Sequence, residues 1–233
     1  MAEIIEAIEE YGLSSKHKKR SLFSKIGVVG CGRDGRHIVS LTALSGMEVV
    51  FIEVSNDRIQ EALTDIENGL DTKIENWGLT QGEKRATMGR IKGSLNYSDL
   101  KGCDFVIECI RYEANGERST ELRKEVFRNL ELVLAPDAII ATNATTVIIS
   151  ELAAELTHKE RCISLHFPIT HSEAKLLEVV RGTFTSQEAI DKIYLFAKMI
   201  KYIPIHVHES SGLVSFRLLI IMLNEACEIW MEN

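Results

Sequence analysis

The sequence predicts an α/β fold built on a doubly wound parallel sheet. From Lys25 onward, short apolar runs typical of buried strands alternate with longer segments of helical periodicity. A glycine-rich turn follows the first apolar run directly. Because parallel strands need crossover connections, usually helices, this alternation favours parallel strands covered by helices on both faces. The 233 residues are enough for one large domain or one and a half.

The predicted elements follow one another along the chain. Strand-like runs lie near 25–29, 48–53, 104–110, 138–142, 162–166 and 203–207. Helical patterns lie near 32–45, 56–76, 80–90, 118–133, 147–156, 172–180, 187–201 and 212–230.

The turn after the first strand carries glycines at the spacing G-x-G-x-x-G, at Gly30, Gly32 and Gly35. Gly30 would permit the tight turn, Gly32 would let backbone N–H groups approach a pyrophosphate, and Gly35 would let the helix pack on the sheet. The second strand ends in Glu53, whose carboxylate would accept hydrogen bonds from ribose hydroxyls and repel a 2′-phosphate. The pattern predicts a Rossmann-type NAD site, and the alternative is a glycine-rich turn without a ligand.

Composition excludes several classes of function. A net charge of −7 argues against a general nucleic-acid binder, which needs a basic face. The longest apolar stretch, around Leu213 to Leu223, is interrupted by Ser215 and Arg217 and is too short to span a bilayer. The N-terminus is acidic and unlike a signal peptide. We therefore expect a cytoplasmic protein without membrane or nucleic-acid partners.

The five cysteines are scattered, which favours buried thiols in a reducing compartment over disulfides or a metal cluster. His206 and His208 alternate on one predicted strand, but no third ligand has a matching spacing. We predict no metal site.

The two ends of the chain differ from its centre. Residues 1–20 have the pattern of a short amphipathic helix ending in a basic run, so we assign 1–24 to a helix and linker before a nucleotide-binding domain of 25–209. The segment Gly212–Trp230 carries apolar residues on nearly every side. Such a helix must be buried, so 210–233 predicts either a dimer interface or the start of a second, helical domain.

One histidine stands where ligands bind in this class of fold. His166 ends the apolar run from Cys162, and side chains at strand ends face the ligand crevice. Glu178 follows twelve residues later. A histidine oriented by a carboxylate is a general base suited to taking a proton from an alcohol during hydride transfer. The same histidine also fits a core side chain whose hydrogen bonds are satisfied.

Several stretches together resemble the L-3-hydroxyacyl-CoA dehydrogenases over about residues 25–230. They are Lys25-Ile-Gly-Val-Val-Gly-Cys-Gly, Arg90-Ile, Ser98-Asp-Leu, Cys103-Asp-Phe-Val-Ile-Glu108, Leu165-His-Phe, Lys175-Leu-Leu-Glu-Val-Val-Arg-Gly-Thr-Phe-Thr-Ser186, Ser211-Gly-Leu-Val, Arg217-Leu-Leu-Ile and Met222-Leu-Asn-Glu-Ala226. The resemblance implies a third strand near Arg90 and NAD-dependent oxidation of a secondary alcohol. It also implies an all-helical dimerisation domain, of which the chain holds the first helix, and hence a homodimer.

The resemblance assigns roles to individual residues. His166 and Glu178 match the family's catalytic dyad, and Thr145 stands at its active-site serine. Thr145 keeps the hydroxyl but adds a methyl group that stiffens the side chain. Glu108, at the end of the fourth strand, matches an acid that we count with the cofactor-binding residues.

The substrate side departs from the family. Two family asparagines are replaced by Ile169 and Phe216, and losing one such amide donor near a polarised carbonyl costs ~2.7–4 kcal/mol. The helix after the second strand is rich in carboxylates where the family holds the phosphates of CoA, which indicates either repulsion of CoA or a merely solvated face. About six extra residues around 112–120 lengthen a loop at the mouth of the crevice.

Two classes of function follow. The first is a dehydrogenase that uses NAD and a small-molecule substrate, either an acyl-CoA or a small hydroxy acid that would avoid the acidic helix. The second is a degenerate module that binds NAD with little catalysis.

Overall fold

The computed structural model describes residues 23–111, 119–168 and 175–232. Its strands are β1 (Lys25–Val29), β2 (Glu48–Ile52), β3 (Ile91–Ser94), β4 (Phe105–Glu108), β5 (Ile139–Thr142), β6 (Cys162–His166), β7 (Leu176–Arg181) and β8 (Ile203–His208). Its helices are α1 (Arg33–Leu44), α2 (Asn56–Glu75), α3 (Gln81–Met88), α4 (Thr120–Val133), α5 (Ile149–Ala153), α6 (Gln187–Met199) and α7 (Ser215–Glu232). The predicted helix in 1–20, most of the predicted loop 112–120 and Ile169 lie outside the described residues.

The strands form one sheet in the order β3-β2-β1-β4-β5-β6-β7-β8. The chain runs outward from β1 to β3 on one side and from β4 onward on the other, so the order reverses between β1 and β4. In doubly wound sheets the ligand crevice lies at the carboxyl ends of the strands beside such a reversal. The predicted α/β sheet is confirmed, and its switch point lies beside the glycine turn.

The prediction of a helix over 172–180 is wrong. Leu176–Arg181 form β7, which pairs with β6 antiparallel and with β8 parallel. Leu177 and Val179 are buried in one core cluster and Val180 in another. Since both faces of the strand are covered, its sequence lacks the alternation of a half-buried strand, and a short apolar run is easily taken for a helix. The expectation of an all-parallel sheet fails at the same place.

Three smaller differences concern element ends. The helix expected over 147–156 is the short α5, and the helix expected from residue 212 begins at Ser215. Gly212 and Leu213 have φ values of 80° and 49°, which a right-handed helix cannot contain. The third strand near Arg90, which only the family resemblance implied, is present as β3.

The hydrophobic core lies in two layers, one on each face of the sheet. In one layer β1 and β4 pack against α1, α2 and α6, and Phe23, Phe105 and Phe196 form edge-to-face contacts there. In the other layer the alternate residues of β1 and β4 pack against α4 and α5. The residues at the strand ends therefore rest on a rigid, buried scaffold.

The packing of α2 against the sheet edge depends on Gly93 in β3. A Cβ atom there would lie 2.4 Å from Ile59 Cγ2 and 2.8 Å from Phe51 Cζ. We expect Gly93→Ala to lower the free energy of unfolding by about 1–3 kcal/mol because the core must shift to admit the methyl group. Urea denaturation followed by circular dichroism measures this change.

Gly69 is the matched control, since it lies within α2 and a Cβ atom there meets nothing within 4 Å. Gly69→Ala should raise the free energy of unfolding by about 0.5–1 kcal/mol, because glycine is a poor helix former. A Gly93→Ala protein as stable as the parent would contradict this packing.

Candidate active site

The glycine turn after β1 has no room for larger side chains at two positions. Gly30 has a φ of 88°, and a Cβ atom on it would lie 3.2 Å from the backbone of Cys109 and Ile110. A Cβ atom on Gly35 would lie 2.1 Å from the carbonyl oxygen of Gly30. These two glycines let the turn and α1 pack against the end of β4.

Gly32 is different, because a Cβ atom there would meet nothing within 4 Å. It precedes α1, and the first helical hydrogen bond runs from the Arg36 N–H to the Gly32 carbonyl oxygen. The three N–H groups before Arg36 therefore have no partner within the helix, as at every helix N-terminus. Open space beside these donors suits a pyrophosphate, so the turn fits a dinucleotide.

Glu53 directly follows β2 and is half-buried. Its Oε1 accepts a hydrogen bond of 2.6 Å from the Cys31 N–H in the glycine turn, and its Oε2 accepts one of 3.2 Å from the Val54 N–H. An ionised carboxylate has about four acceptor positions, so these bonds leave capacity for ribose hydroxyls. The contact with ribose stays a prediction, while the bond to Cys31 shows that Glu53 also holds the turn.

Glu108 ends β4 and is completely buried. Arg123 of α4 donates to both carboxylate oxygens at 2.7 Å and also to the Ile110 carbonyl oxygen. The Thr142 hydroxyl donates to Oε2 at 2.6 Å, and the Ile110 N–H donates to Oε1. Burial raises the pKa of Glu108, and these donors oppose that effect. Its role as a cofactor ligand stays a prediction, since every contact described for it is with the protein.

Asn143 follows β5 beside this ion pair, and its N–H donates to the Glu108 carbonyl oxygen at 2.8 Å. Its side-chain Oδ1 is buried and has no hydrogen-bond partner among the described residues. A buried acceptor without a donor costs about 1–3 kcal/mol. Asn143 therefore offers an acceptor at the carboxyl edge of the sheet for a group that the described residues do not supply.

His166 and Glu178 lie directly opposite each other in the antiparallel pair of β6 and β7. His166 Nδ1 and Glu178 Oε2 are 2.6 Å apart. An ionised carboxylate can only accept hydrogen bonds, so the Nδ1 atom must carry the proton. Nε2 is then the basic nitrogen of the neutral ring. The dyad that the sequence predicted is assembled by the one strand, β7, that the sequence assigned to a helix.

The Glu178 carboxylate also accepts hydrogen bonds from the start of α7. Its Oε1 takes the N–H groups of Val214 at 3.1 Å and Ser215 at 2.9 Å, and its Oε2 takes the Ser215 hydroxyl at 2.9 Å. Burial raises the pKa of Glu178, but the hydrogen bonds from His166 and Ser215 outweigh it and leave the pKa below its usual value. The carboxylate therefore stays ionised beside the imidazole.

The connection between β8 and α7 joins the dyad to Thr145. The Gly212 N–H donates to the Thr145 carbonyl oxygen at 2.9 Å, three residues before Ser215 binds Glu178. Glu209 at the start of this connection accepts hydrogen bonds from the Ser150 N–H and hydroxyl at 3.1 and 2.6 Å. One short segment thus contacts both the backbone of Thr145 and the side-chain carboxylate of Glu178.

Sequence reasoning missed three residues at this site: Arg123, Asn143 and Ser215. Only Arg123 could have been found from the sequence. It stands among the apolar, buried positions of α4, and a buried arginine requires a buried anion.

Phe216, which the resemblance places at a family asparagine, is the second residue of α7 and is 44% exposed.

The carboxylates of α2 are largely matched by cations. Arg36 pairs with Asp65, and Lys84 Nζ lies 2.7 Å from Asp71 and 3.0 Å from Glu67. The predicted acidic face is therefore partly neutralised by side chains of α1 and α3.

The rings of His206 and His208 are 5.3 Å apart, centroid to centroid. Among the residues whose structure is described, no three histidine, cysteine or carboxylate side chains are grouped so as to hold a metal ion. No helix of that part of the chain is long and apolar enough to cross a membrane.

The sequence matches the family described as 3-hydroxyacyl-CoA dehydrogenase, NAD binding domain, over residues 25–210. It is 30% identical to a 3-hydroxybutyryl-CoA dehydrogenase of Clostridioides difficile, over 90% of this chain and 72% of that protein. It is also 30% identical to a peroxisomal fatty acid beta-oxidation multifunctional protein of Oryza sativa, over 86% of this chain and 27% of the much longer protein.

Solved structures agree with the sequence relatives. An (S)-3-hydroxybutyryl-CoA dehydrogenase from Ralstonia eutropha has a TM-score of 0.81 at 31% identity, over 88% of this chain and 70% of that one. A diketoreductase that acts on dicarbonyl compounds has a TM-score of 0.80 at 26% identity, over 90% of this chain and 73% of that one. The predicted NAD cofactor and oxidoreductase class are confirmed, and the chain belongs to the 3-hydroxyacyl-CoA dehydrogenase family through its NAD-binding domain.

Proposed function

We propose that this chain interconverts the secondary alcohol of a hydroxyacyl substrate and the corresponding ketone, with NAD as the cofactor. The observation that carries the proposal is the 2.6 Å hydrogen bond between His166 Nδ1 and Glu178 Oε2. This bond fixes the tautomer that leaves Nε2 basic, which is the form a general base needs.

In the oxidative direction the substrate hydroxyl gives its proton to His166 Nε2 while the carbinol hydrogen leaves as hydride. NAD supplies the hydride acceptor when it is bound. Glu178 stabilises the imidazolium form without taking the proton, since its own pKa is lowered by its donors. In the reductive direction the imidazolium returns the proton to the new alkoxide.

The residues that would hold NAD are those of the β1 turn and its neighbours. Gly32 and the N-terminus of α1 would receive the pyrophosphate, and Glu53 the adenosine ribose. Glu108 would act through the backbone that follows β4, and the unpaired Oδ1 of Asn143 would accept a hydrogen bond from cofactor or substrate. Thr145 would contact the substrate oxygen through its hydroxyl.

The substrate class rests on two opposing features. Phe216 and Ile169 lack the amide donors that the resemblance places there, which favours a substrate other than an acyl-CoA, such as a small hydroxy acid or a dicarbonyl compound. The ion pairs of α2 with Arg36 and Lys84 reduce its repulsion of an anionic CoA, which favours an acyl-CoA. Because two of the four relatives named above are 3-hydroxybutyryl-CoA dehydrogenases, acetoacetyl-CoA is the first substrate to test.

Mixing the protein with NADH and acetoacetyl-CoA should lower the absorbance of NADH. His166→Gln should reduce kcat by about a hundredfold to ten-thousandfold, because the variant lacks the proton-transferring group. His158→Gln is the matched control, as His158 is a half-buried histidine that makes no described contact with the dyad. A panel of small keto acids and dicarbonyl compounds extends the assay.

Tight NADH binding with no turnover on any of these substrates would contradict the enzyme and favour a binding module. Absence of NADH binding would contradict both functions.

A second prediction uses the lowered pKa of Glu178. A carboxyl whose pKa is lower in the folded protein than in the unfolded chain stabilises the fold at a pH above the unfolded pKa. It loses that contribution as the pH falls through the folded pKa. The free energy of unfolding of the parent should therefore exceed that of Glu178→Gln at pH 7, and the difference should shrink below about pH 4.5. Denaturation at several pH values measures it.

Glu75→Gln serves as control, because Glu75 is an exposed carboxylate at the end of α2. The free energy of unfolding of Glu75→Gln should differ little from that of the parent at every pH. A difference for Glu178→Gln that is the same at pH 3 and pH 7 would argue against the ionised, hydrogen-bonded carboxylate.

We further propose that the protein is a homodimer in which α7 packs against a second copy. None of the residues of α7 is buried within the described structure, and Ile221, Met222 and Trp230 are 65%, 68% and 82% exposed. Ile203 and Ile205 of β8 are also exposed, at 63% and 40%. Large exposed apolar side chains along one helix are typical of a protein interface.

The cysteines support a proposal for the cellular location. All five are free thiols, and Cys31, Cys103 and Cys162 are buried. Free thiols support a reducing compartment, and we infer the cytoplasm.

Sedimentation should show a dimer that Ile221→Glu dissociates, because the charge would be desolvated in the interface. Leu132→Glu is the control, since Leu132 is 86% exposed on α4. A parent protein that sediments as a monomer at high concentration would contradict the dimer.

A further inference from the structure

Ser215 makes an unusual set of contacts for the first residue of a helix. Its hydroxyl donates to Glu178 Oε2 at 2.9 Å and lies 3.5 Å from His166 Nδ1, while its N–H donates to Glu178 Oε1 at 2.9 Å. The hydroxyl therefore shares one carboxylate oxygen with the histidine.

These contacts are not those of a capping serine. The Leu218 N–H bonds to the Val214 carbonyl oxygen, so Val214 is the residue that precedes the helix and Ser215 is its first helical residue. A capping hydroxyl accepts a bond from an N–H two or three residues ahead. The Ser215 hydroxyl instead donates outward, and the Glu178 carboxylate takes the place of the cap that Val214 cannot provide.

The donors fill the acceptor positions of the carboxylate. Oε1 accepts from the N–H groups of Val214 and Ser215, and Oε2 accepts from His166 and the Ser215 hydroxyl. An ionised carboxylate offers about four such positions. Rotation of the Glu178 carboxylate away from His166 would therefore break bonds to α7 as well.

We propose that Ser215 is a positioning residue for the His166 base: its hydroxyl fixes the Glu178 carboxylate and limits the negative charge that Oε2 presents to the imidazole. This inference rests on the proposed function of His166. It makes α7 part of the catalytic machinery, because the first residue of that helix sets how strongly the carboxylate holds the imidazolium form.

Apart from His166, the charged and titratable side chains on the elements around Glu178 do not face its carboxylate in the described structure. Strand β6 presents His166, which is the ion-pair partner of Glu178 among the described residues. Strand β8 places Ile205 opposite Glu178, whereas His206 and His208 pair with Val179 and Arg181 and so lie on the other face of the sheet. From α7, Arg217 is exposed two residues beyond Ser215.

The test compares Ser215→Ala with Ser215→Thr, which keeps the hydroxyl, and with Ser211→Ala, an exposed serine of the same connection. The first readout is the carbon-13 titration of the Glu178 carboxyl in the protein alone. Ser215→Ala should raise the pKa of Glu178 by about one unit, as expected for one lost hydrogen bond to a charged group. Ser215→Thr and Ser211→Ala should leave it in place.

The second readout is the pH profile of kcat in the oxidative direction. In Ser215→Ala the acidic limb should move to higher pH by about half a unit. Without the Ser215 hydroxyl, the Glu178 carboxylate carries more negative charge towards His166 and stabilises the imidazolium more strongly. The KM of the substrate should stay nearly constant. A loss of stability alone would change the amount of active protein and leave the limb in place.

An unchanged Glu178 titration in folded Ser215→Ala would overturn the proposal. If Ser215→Ala does not fold, Ser215→Cys, a weaker donor, should give a smaller shift in the same direction, and no shift would overturn it equally. Absence of dehydrogenase activity in the parent would refute the proposed function, while the carboxyl titration would still decide the contact with Ser215.

Discussion

The arrangement of the candidate site depends on one buried carboxylate. Glu178 on β7 receives hydrogen bonds from His166 on β6, from Val214 and from Ser215, the first residue of α7, so a single group joins two strands and a helix. Burying a charge is costly unless it is paired and hydrogen-bonded, and here every donor supplies part of that compensation. The position of His166 and the direction of the C-terminal helix are therefore not independent.

The sheet topology brings this carboxylate and the glycine turn to the same edge. Strands β1 to β6 that neighbour each other are parallel, so the turn at Gly30 and the end of β6 at His166 both lie at their carboxyl ends. Strand β7 runs the other way and places Glu178 directly opposite His166. In this antiparallel pair the two side chains lie close enough to form a hydrogen bond.

The sequence predicted the strands and the turn of the nucleotide half well, and the strands around His166 and Glu178 less well. Glycines and the acid after β2 have fixed local tasks, so Gly30, Gly35 and Glu53 could be read from spacing alone. Strand β7 could not, because it is covered on both faces and lacks alternation. The contacts of Arg123 and Ser215 join residues 15 and 37 positions apart, and no local pattern encodes such distances.

The tautomer of His166 tests the central claim most directly. In protein labelled with nitrogen-15 in its histidines, the neutral His166 ring should carry its proton on Nδ1, coupled to the Glu178 carboxylate, with Nε2 unprotonated. Glu178→Gln should weaken this preference. A neutral ring protonated on Nε2 in the parent protein would contradict the account, since that nitrogen could not then accept the substrate proton.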